Sequence, residues 1–267
     1  MGWFDVHAHL TDARLLQIEA EVVQRAKEGG LTTIICNGLN PIDNEAVRQL
    51  SLRQPLVKAA FGLYPVDAVL VEMDALGIDY PRNTPPVPWQ EAVDWVRDNV
   101  EDCVAVGEIG LDHYWVPEAL WTQQEEVFRA LVSVAMEADK PIIIHSRKAE
   151  RRAFEILVEM GAKRVNWHCY SSKVKLGRRI AEHGHYLSIP ANARKAENFT
   201  RLLETLPRDR ILLETDCPYL SPVRGTLNEP CNVVGTAQYA AELWQCELDV
   251  VRSQMEENFE RLFGFAP

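Results

Sequence analysis

No run in this chain reaches the length of a membrane span, and no segment is of low complexity, so neither a bilayer protein nor a disordered one is indicated. Positive charge is also scarce. Lys plus Arg total 28 against 39 Asp plus Glu, a formal net charge of −11, so the overall field draws the chain toward neither nucleic acid nor an anionic membrane. A polyanionic substrate would need a local basic patch or bound cations. Cysteine is sparse and unpaired: Cys36, Cys103, Cys169, Cys217, Cys231 and Cys246 are scattered with no C-x-x-C spacing, which fits reduced thiols in a cytoplasm. The opening MGWFDVHAHLTDARLL carries two Asp and two His where a signal peptide needs an unbroken apolar stretch, and a cytoplasmic location is expected. No obligate protein partner is implied.

What is present suits a globule. Of 267 residues, 47% are apolar and 25% charged, and at this length a core forms without disulfide or structural metal, so any metal here is expected to be functional. Short apolar, β-branched runs recur about every thirty residues, at 2–6, 31–36, 57–61, 103–106, 141–144, 164–167, 186–189 and 210–213. They read as buried parallel strands. The segments between them carry helical stripes, such as Leu15, Ile18, Val22 and Val23, or Val127, Leu131, Val134 and Ala138. Eight strand-helix repeats predict an α/β fold, a single-domain (β/α)8 TIM barrel spanning 1–267, with a doubly wound open sheet as the rival. Two stretches break the rhythm. Residues 66–88 contain IDYPRNTPPVP, too proline-rich to be helical, and SPVRGTLNEP at 221–230 reads as a loop before helical patterns at 236–246 and 250–263.

Five of the eight predicted strands end in a potential metal ligand: His7 and His9 after the first, Glu108 after the fourth, His145 after the fifth, His168 after the sixth and Asp216 after the eighth. Side chains two apart on a strand share a face, so His7 and His9 can grip one ion. Carboxyl ends of barrel strands converge on one rim, where residues remote in sequence meet. Taken singly, a His-x-His pair, a Glu or an Asp is commonly structural; together at strand ends they point to a site. Four imidazoles and two carboxylates exceed the three protein ligands of one open catalytic zinc, which implies two ions. His7, His9 and Asp216 would surround one, His145 and His168 the other, with Glu108 between. Paired ions of this kind activate water for hydrolysis. Asp216 is the candidate for orienting that water and taking its proton, with Glu108 as its catalytic companion. Asp5 reads equally as a backbone or supporting partner. His183 and His185 precede the seventh strand, on the opposite face, where solvation or turn packing is expected; His113 lies on the site's side and is a candidate substrate contact.

DVHAHL (5–10), VGEIGLD (106–112), PIIIHSRKA (141–149), HCYSS (168–172), ETDCPYLSPVRGTLNEP (214–230) and NFERLFG (258–264) together resemble the TatD family of metal-dependent hydrolases in the amidohydrolase superfamily. The resemblance implies a barrel with two divalent ions (Zn, Mg or Mn) and phosphodiesterase activity on DNA, often from single-stranded ends. It also implies that His7, His9, Glu108 and Asp216 hold the first ion, and Glu108, His145 and His168 the second. The chain departs from the family after the third strand, where FGLYPVD has Tyr64 and Val66 at positions commonly histidine. That departure bears on substrate choice more than on metal binding, and it keeps open a second expectation: hydrolysis of a small carbonyl substrate such as a lactone, cyclic amide or ester. For phosphate, Arg147, Lys148, Arg151, Arg152, Arg194, Lys195 and Arg224 follow strands on the expected rim, with Arg147 and Arg224 the principal candidates. Tyr64, Trp115 and Tyr219 are aromatics on which a base could stack.

Overall fold

A computed structural model describes residues 2–81 and 84–267. Among them eight strands form one sheet in chain order: β1 (Trp3–Ala8), β2 (Leu31–Asn37), β3 (Val57–Phe61), β4 (Ala105–Asp112), β5 (Ile142–Arg147), β6 (Val165–Trp167), β7 (Tyr186–Ile189) and β8 (Ile211–Leu213). All neighbours pair in parallel. The segment leaving β8 returns to β1: Ala8 bridges Cys217, Asp216 N donates to the His7 carbonyl at 2.9 Å, and His9 N donates to the Cys217 carbonyl at 2.8 Å. The sheet thus curls until its first and last edges meet, as the eightfold repeat predicts, giving a single-domain (β/α)8 barrel.

Local chemistry sets the connecting helices. Helix Pro41–Arg53 begins with proline, and the Asn40 side chain accepts from the amides of Ile42 and Asp43. Helix Glu150–Met160 ends at Gly161, in the left-handed region at φ 75°. Helix Trp121–Glu137 buries Val127, Leu131 and Val134 on its barrel face. The stripe from Leu15 to Val23 is divided between two helices, Ala13–Leu16 and Glu19–Glu28, because the backbone leaves the helical region at Ile18.

Two expectations need correcting. His7, Glu108 and His145 do not follow their strands but lie within β1, β4 and β5. Strand length follows backbone pairing, and β4 keeps pairing beyond its apolar run, with Gly110 opposite His145 and Asp112 opposite Arg147. Gly110 permits this approach: its φ is 145°, and a Cβ there would lie 2.0 Å from the His145 carbonyl oxygen. Secondly, the excursion at 66–88 is partly helical. A 3₁₀ turn, Asp67–Val69, and a helix, Leu70–Ala75, precede the prolines, and Val66, Val69 and Met73 pack with Val116 and Leu120 as an apolar cluster apart from the main core. IDYPRNTPPVP itself is non-helical where described; its Arg82 and Asn83 lie outside the described residues. His185 packs beside the turn at 183–184, as expected, and is fully buried, its Nδ1 accepting from Trp167 Nε1 at 3.1 Å and its Nε2 donating to the Ala162 carbonyl at 3.0 Å.

The loop at 221–230 leads into helices Val233–Trp244 and Leu248–Phe263. All six cysteines are free thiols, and no helix among the described residues is long and apolar enough to cross a membrane.

Candidate metal centre

The barrel brings the six singled-out side chains to one end. His7 Nε2 and His9 Nε2 are 3.1 Å apart. Glu108 Oε2 lies 3.5 Å from the first and 3.4 Å from the second; Asp216 Oδ1 lies 3.9 and 3.5 Å from the same two atoms. Ligands about 2.1 Å from a tetrahedral ion stand about 3.4 Å from one another, so this spacing suits a shared cation. The other carboxylate oxygen of Glu108 turns to the far side, 2.9 Å from His145 Nδ1 and 3.9 Å from His168 Nε2. His7, Glu108 and His168 form a second group of converging donors, and the His7 and His168 rings stack at 3.6 Å. His145 stands at the margin, held between two carboxylates: its Nε2 is 3.1 Å from Asp112 Oδ2.

Surrounding groups fix which imidazole nitrogens face inward. A carbonyl only accepts, so His9 Nδ1, 3.1 Å from the Asn37 carbonyl, carries its proton and leaves the Nε2 lone pair toward the cage. His168 Nδ1 likewise donates to Glu214 Oε1 at 3.1 Å, directing Nε2 toward Glu108. Glu214 is held in turn by the Cys169 amide at 2.8 Å and by the Ser188 hydroxyl. Two lone-pair nitrogens and two carboxylate oxygens in buried proximity repel unless protons or a cation lie among them. A divalent ion fits this donor set.

The titration pattern says the same in protons. Burial opposes charge on Glu108, yet hydrogen bonds from His145, His7 and His9 hold it well below the usual carboxylate range. Burial likewise opposes charge on His9, but Asp216 and Glu108 raise it well above an ordinary histidine; for His145, Asp112 and Glu108 overcome burial and lift it to about 9. His7 is lowered, first by burial and then by His168. The cage is built to carry positive charge.

Asp5 is outside the cage and braces it. Its carboxylate accepts from the amides of His7 at 3.1 Å and Thr215 at 2.9 Å and from the Thr215 hydroxyl, tying β1 to the segment that presents Asp216. Burial raises the pKa of Asp5, and the Thr215 hydroxyl and the two amides act against it in favour of the carboxylate. Sequence reasoning missed Asp112 and Glu214, though alternation offered a signal: Asp112 is four residues beyond Glu108 on β4, and Glu214 is two before Asp216.

The other named residues divide. Tyr64 meets the His145 ring edge-on at 5.0 Å, whereas Val66 is packing in the apolar cluster beneath the excursion. His113 is stacked on Trp121 at 3.8 Å, outside the cage. Arg147 ends β5 with its guanidinium 3.7 Å above the Tyr114 ring, and Arg224 is exposed in the loop after β8. Arg152 is paired with Glu125, and Arg194 with Glu242. A groove of about 770 Å³ opens from His9.

Comparison with known proteins agrees with this architecture. The chain is 32% identical to the uncharacterized metal-dependent hydrolase YabD of Bacillus subtilis, over 97% of this chain and 98% of the relative. It is 26% identical to deoxyribonuclease TATDN3 of Homo sapiens, over 98% and 95% of the two chains. Among solved structures, the TatD homolog YJJV of Escherichia coli K12 superposes with a TM-score of 0.84 at 22% identity, covering 98% of each chain. The family model for TatD related DNase matches residues 4–264, and the chain therefore belongs to this family of metal-dependent hydrolases.

Proposed function

We propose that this protein hydrolyses phosphodiester bonds in DNA, removing nucleotides from single-stranded ends, with two divalent ions. The observation that carries the reading is the set of contacts of 3.1–3.9 Å among His7, His9, Glu108 and Asp216, continued on the far side of Glu108 by His145 and His168. His7, His9 and Asp216 would hold one ion, His145 and His168 the other, with Glu108 shared. When bound, such ions lower the pKa of water and stabilise charge on attacking and leaving oxygens. Imidazole-rich donors favour Zn or Mn over Mg.

The chain's own groups supply the rest. Asp216, the cage carboxylate with the more exposed side chain at 14%, orients the attacking water and takes its proton. Glu214 and Asn37 keep His168 and His9 in the tautomers that face inward. Arg147 and Arg224 meet phosphate oxygens, and Tyr64 borders the reacting group beside His145. His113, held against Trp121, is left out of this role.

A second reading, hydrolysis of a lactone, cyclic amide or ester at the same centre, draws on Tyr64, an aromatic ring where family members commonly place histidine. One experiment separates them. End-labelled single-stranded DNA is incubated with the protein and added Zn, Mn or Mg, beside Glu108→Ala, with a parallel screen of esters and lactones. Stepwise nucleotide release, reduced at least about 100-fold in the variant, supports the nuclease reading. No release by the wild type, or equal release by both, overturns it.

A further inference from the structure

We infer that the groove beside His9 seats the base of the nucleotide next to the scissile phosphate, against the Arg14–Tyr219 stack and Ile42, which both line it. The inference rests on the phosphodiesterase reading and adds a recognition element to it. The Arg14 guanidinium lies 4.3 Å above the Tyr219 ring, and Asp12 holds it there through two hydrogen bonds of 2.8 Å, from Nε and from one terminal nitrogen. The Tyr219 ring is itself 6.3 Å from the ring of His9, edge to face, so the wall begins directly at the proposed centre. Ile42, 60% exposed at the start of helix Pro41–Arg53, lines the same groove and adds an aliphatic side chain to it.

The chemistry of these walls selects a flat, neutral ring over a phosphate. Bidentate pairing with Asp12 largely cancels the charge of Arg14, leaving the face of a planar guanidinium more than its electrostatic pull. The nearest helix start is equally unavailable to an anion, because the Ile42 and Asp43 amides already bond the Asn40 side chain. Beside its polar lining the groove offers a rigid planar stack and an aliphatic side chain. A nucleobase fills such a slot by stacking, without base-specific hydrogen bonds, and its attached phosphate then points toward the His9 side of the groove.

The test uses the full-length, metal-supplemented protein and two single-stranded oligonucleotides, one ordinary and one abasic at its terminal residues. Removing a stacking partner costs on the order of tenfold in affinity per base, so Tyr219→Ala and, separately, Ile42→Ala should each raise KM about tenfold on the ordinary strand. On the abasic strand their KM values should match the wild type. Tyr219→Phe, which keeps the ring, should restore the wild-type KM. Competitive inhibition gives an independent readout: thymidine 5′-phosphate should inhibit the wild type better than deoxyribose 5-phosphate, and Tyr219→Ala should erase the difference. Variants that leave the ordinary-strand KM unchanged, or raise both KM values equally, overturn this placement while leaving the nuclease reading intact. A wild type that cleaves neither strand overturns both.

Discussion

His185 offers a prediction whose size follows from its surroundings. Its Nδ1 accepts the Trp167 indole N–H and its Nε2 donates to the Ala162 carbonyl, so the neutral ring satisfies both contacts and a second proton would break the first. Burial accordingly lowers its pKa from 6.5 to about 4. Between those values the unfolded chain binds a proton that the folded chain refuses, and stability therefore rises with pH across the interval. The contribution is complete above about pH 6.5 and is lost as pH falls toward 4; at 1.36 kcal/mol per pH unit the gap is worth about 3 kcal/mol. Urea denaturation of the wild type and His185→Gln at pH 7.5, 5.5 and 4 isolates this group, since other titrations are common to both proteins. The wild type should lose about 3 kcal/mol more than the variant over that range. Because Trp167 precedes His168, the same acidification should loosen the strand that presents this imidazole. Parallel stability profiles for the two proteins would refute the reasoning.

Other perturbations test the centre and the barrel. Glu214→Gln removes the carboxylate that holds His168 Nδ1 and should weaken metal affinity by about 10- to 100-fold, read by competition with a chromogenic chelator. Gly110→Ala forces a Cβ to within 2.0 Å of the His145 carbonyl oxygen at a φ of 145°, and should destabilise the fold by more than about 2 kcal/mol in urea titrations. Dialysis against a chelator should abolish hydrolysis, and re-addition of Zn or Mn should restore more of it than Mg. Asp5→Asn keeps the volume but exchanges an acceptor oxygen for a donor NH₂ among the amides of His7 and Thr215 and the Thr215 hydroxyl; a lowered thermal midpoint is the expected result.

The barrel was legible because buried parallel strands announce themselves as apolar runs at a regular interval, and His7, His9, Glu108, His145, His168 and Asp216 stood out against that background. Pairing beyond the apolar run was not legible: nothing local to GEIGLD says that β4 continues to Asp112, since the partner that holds it there, β5, lies some thirty residues away. Asp112 and Glu214 escaped notice for a related reason, as each acts by orienting a histidine that sequence separates from it by tens of residues. The helix Leu70–Ala75 was masked by the prolines that follow it.

The separate apolar footing of the excursion, Val66, Val69 and Met73 on Val116 and Leu120, has an evolutionary corollary. A segment with its own apolar footing can vary at its outer turns, while Ala68, Val87 and the Asn40–Asp67 contact hold it to the barrel and the eight-stranded scaffold keeps its integrity. Because Tyr80, Pro81, Thr84 and Pro85 of this segment line the groove beside His9, a change in it would retune what is admitted to the mouth.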